Sequence, residues 1–185
     1  MFLQVKNMVC SRCISAVHDL MQRLGLHPDK VELGGVELPD ALATPENLSQ
    51  LDAGLRLIGF ELVSDPVERI VESVKKSIIE YVRVDEGSPL KLSAYLENAI
   101  GLDYQSLSRI FSMKEGRTVE KYHIAQKVER VKELLELPGM TLAEIAFRTG
   151  YSSVAHLSRQ FKQVTGLTVT AYKSGHATRI PLDKV

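Results

Sequence analysis

The chain has 185 residues and only two cysteines, and none of its stretches approaches the ~18 uncharged apolar residues that a bilayer-spanning helix needs. Its first twenty residues are interrupted by Lys6, Arg12 and Asp19. These absences argue against a signal peptide, a membrane partner and a disulfide-stapled secreted scaffold, and make a reducing compartment, the cytoplasm, the expectation. Low-complexity tracts are missing as well. With 44% hydrophobic and 25% charged residues, the composition is that of a folded protein, which excludes collagenous and disordered classes. No catalytic constellation is visible, so no enzyme is expected. The length allows one large domain or two small ones.

Net charge is also absent, because 23 basic residues balance 23 acidic ones, yet the balance is uneven along the chain. Residues 1–65 hold five basic and nine acidic side chains. Between Glu144 and Asp183 there is no Asp or Glu, while Arg148, Arg159, Lys162, Lys173 and Arg179 all fall there. A basic face on part of a neutral chain suggests a polyanionic partner.

Leu3 and Val5 alternate with Gln4 and Lys6, the period of a half-buried strand, after which Ile14, Val17, Met21 and Leu24 recur at helical spacing up to Gly25. Val31 and Leu33, then Val36 and Leu38, flank Gly34-Gly35 as a hairpin. Thr44-Pro45-Glu46 starts a second helix with Leu48, Leu51, Leu55 and Ile58 inward, and residues 60–63 read as a last strand. The order strand, helix, two strands, helix, strand suggests a ferredoxin-like βαββαβ sandwich with both helices on one sheet face. Pro66 marks a boundary, and a connecting helix follows over 67–81. The rest reads as helix, broken at Gly87-Ser88-Pro89, Gly101, Gly116, Pro138-Gly139, Gly150 and Gly166. The expected fold class is therefore α+β, with a ferredoxin-like domain over 1–65, a connecting helix over 66–82, an all-α domain over 83–177 and a tail over 178–185.

An internal repeat organises the helical half. A shift of fifty residues superposes Leu107, Ser108, Arg109, Phe111, Gly116, Thr118, Val119 and Tyr122 on Leu157, Ser158, Arg159, Phe161, Gly166, Thr168, Val169 and Tyr172. Such identity predicts two copies of one helical unit, joined by a helix over 119–137 with Ile124, Val128, Val131 and Leu135 inward. In the second copy Thr141-Leu142-Ala143-Glu144 is a capping box opening one helix, and Ser152 and Ser153 offer caps for another after Gly150. Helix, glycine turn and helix form a helix-turn-helix outline. On a wheel of ~100° per residue, Val154, Leu157, Phe161 and Val164 share the inner sector, opposite Arg159 with Ala155, His156, Lys162 and Gln163. The first copy repeats this with Tyr104, Leu107 and Phe111 inward and Gln105, Ser106 and Arg109 outward. Arginine can bond guanine bidentately and glutamine adenine, so such faces suit a major groove.

Residues 77–173 resemble the DNA-binding domain of the AraC family of bacterial regulators, most specifically through Ile145-Ala146, Gly150-Tyr151, residues 157–162, Gly166-Leu167-Thr168 and Tyr172-Lys173. That resemblance implies two helix-turn-helix units, each placing a recognition helix in adjacent major grooves of double-stranded DNA. It implies DNA contact at Gln105, Ser108 and Arg109 in the first unit, at Val154, Ala155, His156, Ser158 and Arg159 in the second, and phosphate near Lys162. The sequence departs from the pattern at Glu97, which holds the small-residue position filled by Ala146 in the second unit, at Val169, where proline is usual, and in the apolar Val154 and Ala155.

Met8-Val9-Cys10-Ser11-Arg12-Cys13 lies between the first strand and first helix. The helix N-terminus and Arg12 favour thiolate there, the form that binds soft metals or attacks disulfides. With Gly59-Phe60, this segment resembles the heavy-metal-associated domain of copper chaperones and metal-pumping ATPases. The resemblance implies copper(I) or another soft ion at Cys10 and Cys13, with Met8 packed beneath the loop; this copy has Asn7 and Val9 where glycine and threonine are common. Reversible disulfide chemistry and a purely structural remnant stay open. His18 points away, and His27, His123 and His176 read as surface residues. The whole reads as an AraC-type DNA-binding transcription regulator responding to a soft metal or thiol state, as a monomer or a homodimer through a sheet edge. The alternative is a metal chaperone or thiol oxidoreductase whose helical half binds protein.

Overall fold

The computed structural model describes residues 1–84 and 90–176, so the expected break at Gly87-Ser88-Pro89 and the tail over 178–185 lie outside the described residues. The N-terminal alternation becomes β1 (Phe2–Lys6), with Leu3 and Val5 buried and Gln4 and Lys6 on the opposite face, as the pleat requires. Helix α1 (Ser11–Arg23) buries Val17, Leu20 and Met21. The hairpin β2 (Lys30–Glu32) and β3 (Gly35–Glu37) follows, then α2 (Pro45–Leu57) and the two-residue β4 (Glu61–Leu62). Thr44 caps α2, its hydroxyl accepting from the Asn47 amide at 3.2 Å, and Pro45 sits where its missing N–H costs nothing. The four strands form one antiparallel sheet in the order β2-β3-β1-β4, with Leu3 opposite Val36 and Val5 opposite Leu62. Leu51, Leu55, Val36 and Leu38 close the core against it, each fully buried and each contributing roughly 1.5 to 3 kcal/mol.

The hairpin turns one residue earlier than Gly34-Gly35. Glu32 pairs with Gly35, leaving Leu33-Gly34 as the loop, with Gly34 at φ +82°. Gly35 belongs to the strand because a Cβ there would lie 2.4 Å from the Phe2 ring and 2.6 Å from the Leu3 carbonyl. Ile58, expected inward, caps α2 and is 38% exposed.

Helix α3 (Pro66–Arg83) is not merely a connector. The chain divides into two compact units, Met1–Lys76 and Ser77–Val185, and the division falls inside this helix. Its first turns lie on the polar sheet face. Gln4 Nε2 donates to the Arg69 carbonyl at 3.0 Å and to Ser73 Oγ at 3.2 Å, Lys6 pairs with Glu68, and Lys76 Nζ meets Glu32 Oε1 at 3.0 Å. Gln4 and Lys6 therefore face protein, and the sheet carries helices on both sides.

The second unit is helical throughout its described residues. The end of α3 is followed by α4 (Leu92–Ile100), α5 (Tyr104–Glu115), α6 (Val119–Leu135), α7 (Leu142–Arg148), α8 (Val154–Thr165) and the short α9 (Val169–Ala171), which continues as a π-helical turn at Tyr172–His176. Four of the repeat identities have a visible structural task. Gly116 and Gly166 end α5 and α8 at φ +66° and +76°, values that favour glycine. Thr118 and Thr168 cap the next helices, accepting from the amides of Lys121 and Ala171 at 3.2 and 3.1 Å. Phe111 packs on Tyr122 and Phe161 on Tyr172, with ring centroids 5.5 Å apart in both pairs. Val128, Val131 and Leu135 of α6 are buried as expected, whereas Ile124 is half-buried.

Candidate nucleic-acid interface and thiol site

Two helix-turn-helix units are built from the repeat. In the first, Gly101 ends α4 in the left-handed conformation, and after Leu102 the Asp103 carboxylate accepts from the Ser106 amide at 2.9 Å to open α5. In the second, the capping box is complete: Thr141 Oγ1 accepts from the Glu144 amide at 3.2 Å and Glu144 Oε2 from the Thr141 amide at 2.8 Å. That amide and hydroxyl hold the Glu144 carboxyl below its ordinary range. Tyr151 N donates to the Ala146 carbonyl at 2.8 Å, closing the helix end across Gly150 at φ +63°. Ser153 then caps α8 by accepting from the His156 amide at 3.1 Å, while Ser152 meets His156 Nδ1 at 3.1 Å instead of capping.

Leu157 and Phe161 anchor α8 and are fully buried, as are Leu107 and Phe111 in α5. Val154 and Val164, expected in the same inner sector, are 36% and 43% exposed. They stand near the two ends of α8, so the fully buried anchoring stripe is only its middle. On the outer side of α8 the structure exposes Val154, Ala155, His156, Arg159 and Lys162 and leaves Ser158 half-buried. On α5 it exposes Gln105 and Arg109, with Ser108 half-buried. The α8 surface is basic and free of carboxylates. The α5 surface borders Asp103 and Glu97. Glu97 does not enter the core: its side chain is exposed and Oε1 accepts from the Tyr104 amide at 2.8 Å, adding a second carboxylate cap to α5, while neighbouring Leu96 fills the interior. The departure from the small-residue pattern is accommodated by turning outward.

Sequence reasoning missed the supports behind this face. Lys127 of α6 donates to the Gly150 carbonyl at 3.0 Å and stands 3.9 Å from the Tyr151 ring centroid. Tyr151 OH donates to Gln160 Oε1 of α8 at 2.8 Å, and burial raises its phenol. Arg117 lies over the Tyr122 ring at 4.6 Å. No sequence signal marks the Lys127 and Tyr151 contacts, since they join residues of different helices and turns that only packing brings together. His123, read as a surface residue, instead meets the Tyr81 ring edge-on at 5.5 Å, and burial, reinforced by the Lys127 charge, lowers it to about 4.

In the first unit Cys10 is the N-cap of α1 and the two sulfurs are 3.3 Å apart. Asn7 is the single non-glycine residue with positive φ, +69°, among the described residues, so it takes the left-handed turn that glycine would serve. Its backbone carbonyl lies 3.8 Å from Cys13 Sγ, and its side-chain Nδ2 donates to the Gly59 carbonyl at 3.2 Å. Met8 is 3% exposed within the core below the loop. Burial pushes the Cys13 thiol above its ordinary value, outweighing the loop amides, so the expected bias toward thiolate is not found at that residue. No group of three or more His, Cys, Asp or Glu side chains is arranged for a metal among the described residues. His18 lies beside Asp19 and is 48% exposed.

No helix among the described residues is long and apolar enough to cross a membrane. The chain is 22% identical over 115 residues to a Bacillus subtilis protein named as an uncharacterized HTH-type transcriptional regulator, YdeC, a stretch covering 62% of this chain and 39% of that protein. Among solved structures, the DNA-binding domain of AdpA in complex with a target DNA is 22% identical with a TM-score of 0.47, covering 61% of this chain and 94% of that one. An AraC-type DNA-binding domain-containing transcriptional regulator from Chromobacterium violaceum is 19% identical with a TM-score of 0.49, covering 57% and 93%. The model of the helix-turn-helix domain family matches residues 96–175, a span that begins in α4 and ends in the turn after α9, so the likeness to that family lies in the helical half of the chain.

Proposed function

We propose that the protein is a sequence-specific, double-stranded-DNA-binding transcription regulator of AraC type. The observation that carries this reading is the exposed, carboxylate-free face of α8, held on a two-residue apolar anchor inside a domain that matches the helix-turn-helix family. The regulator name of the B. subtilis relative supports it. Arg159 and His156 are the base-reading groups, with Gln105 and Arg109 in the weaker first unit, and Lys162 meets phosphate. The test is a fluorescence-anisotropy titration of duplexes enriched by the protein from a randomised pool. A log–log salt dependence with a slope of several units, together with preference for the enriched duplex over a scrambled one, is the expected result. Equal, salt-insensitive affinity would favour a helical half that binds protein.

The N-terminal unit is, in the same reading, a ferredoxin-like heavy-metal-associated domain that senses a soft metal ion or the thiol state. Support comes from the strand order, the left-handed Asn7 in the loop, the buried Met8 and the two adjacent sulfurs. Cys10 and Cys13 would hold copper(I), whose chemistry is low-coordinate soft ligation with no need of a third donor. By linkage, an ion that alters DNA affinity has its own affinity altered equally by DNA. Titration of copper(I) against a competing chelator, with and without the enriched duplex, tests both parts. Equal copper affinity in wild type and the Cys10→Ser, Cys13→Ser variant removes the site; a site blind to DNA refutes the sensor.

A further inference from the structure

Lys127 belongs to α6, not to the recognition helix, yet its ammonium is committed to the turn that launches α8. It donates to the Gly150 carbonyl, in the turn between α7 and α8, and covers the face of the Tyr151 ring. Tyr151 passes this anchorage on. Its hydroxyl holds Gln160 at 2.8 Å and its ring stands edge-on to His156 at 5.2 Å, so one buried side chain touches α8 at two places on successive turns. Ser152, next in the same turn, meets His156 Nδ1. Burial lowers the Lys127 ammonium to about 8, which leaves it charged at neutral pH.

Among the described residues the first helix-turn-helix unit shows no such clamp. The fifty-residue shift sets Ser77 against Lys127, and the residue after Gly101 is Leu102, 37% exposed, where Tyr151 follows Gly150. The device is therefore particular to the unit with the basic outer face.

We propose that Lys127 is a positioning residue for sequence recognition: through Gly150 and Tyr151 it fixes the rotation of α8 about its axis, and thereby sets how well His156 and Arg159 reach base edges. The proposal rests on the DNA-binding reading. It assigns base specificity to a side chain that touches no base. Phosphate affinity needs only charge near the backbone and tolerates a small rotation of α8, whereas a bidentate base contact does not.

The experiment compares the full chain with Lys127→Met, Lys127→Arg and Tyr151→Phe, each titrated against the duplex enriched by wild type and a scrambled duplex of equal length. For Lys127→Met the affinity for the enriched duplex is expected to fall about tenfold, the scale of one mismatched base pair, while scrambled-duplex affinity holds. Lys127→Arg keeps a donor and a planar cation over the ring and should retain the wild-type ratio. A wild-type ratio in Lys127→Met, or an equal loss in Lys127→Arg, overturns the proposal. So does an equal loss on both duplexes with a shallower salt slope, which would make Lys127 a phosphate contact. Where Lys127→Met melts early, Tyr151→Phe decides: it leaves the ring in place and removes only the bond to Gln160, so a partial loss of ratio is expected and an unchanged ratio is fatal. Absence of any enrichment by wild type would refute the DNA-binding reading itself, ahead of every variant.

Discussion

Arg159 and Lys162 share the outer side of α8 but differ in what they can read, because a guanidinium matches two acceptors on a guanine edge whereas an ammonium meets a phosphate as a point charge. Replacing Arg159 with alanine is expected to cost about 1 to 3 kcal/mol of specific binding and to relax preference at one base position. Lys162→Ala should weaken all duplexes alike; anisotropy on the enriched duplex and single-base variants of it separates the two. His123 carries a second residue-scale expectation. Half-buried beside Tyr81, it titrates at about 4 when folded and near its ordinary ~6.5 when unfolded. As pH falls from ~6.5 toward 4, the unfolded chain gains a proton that the folded chain refuses, so stability is lost across that window. The loss is on the order of 2 kcal/mol after allowance for partial exposure. Unfolding free energies of wild type and His123→Asn from chemical denaturation at pH 7.5 and 4.5 should diverge by about this amount, and an equal pH dependence in the two would show that His123 is solvated.

At the scale of the element, α6 does more than join two units. It buries Glu129 and Lys132, 3% and 4% exposed, as an ion pair one turn apart, and Glu129 Oε2 has no hydrogen-bond partner among the described residues. Such a pair adds little net stability, because desolvating both charges offsets their attraction, but removing one partner strands the other. Lys132→Met is expected to destabilise by about 3 to 5 kcal/mol, whereas the Glu129→Leu, Lys132→Met double variant should lie near wild type. Chemical denaturation of the three proteins measures this, and additive losses would mean that the charges are not coupled. The element scale also explains why legibility varied. Caps and glycine stops act within four residues, so Thr44, Thr141, Ser153 and Gly166 were readable directly. The inner faces at helix ends were less so, as Ile58, Val154 and Val164 show, because a wheel assigns a direction without saying whether a neighbour extends far enough to cover it.

For the helical domain as a whole, the seventeen residues of α6 span ~25 Å at ~1.5 Å per residue. In the proposed reading, the outer faces of α5 and α8, which α6 joins, are expected to meet successive major grooves, which recur about every 34 Å. Footprinting on the enriched duplex is expected to show protection across two adjacent grooves, stronger over the half met by α8 because α5 is bordered by Asp103 and Glu97. Protection of a single half-turn would mean that the first unit does not reach DNA.

What the amino-acid order determined by itself was the set of local decisions. These are the alternation of β1, the helical stripes, the caps, and a fifty-residue repeat whose glycine, threonine and aromatic identities serve helix ends or the ring pairs that lock them. Each depends on interactions between near neighbours or on a strict period, which a linear reading can see. Only the tertiary structure decided that α3 covers the polar sheet face through Gln4, Lys6 and Lys76, that His123 is half-buried against Tyr81, and that Lys127 clamps the turn before α8. In each of these a polar or charged residue finds its partner across distant stretches of chain or in the hollow between helices. The chemistry of such a residue, taken alone, is equally compatible with water, and which surroundings it receives is fixed only when the elements pack.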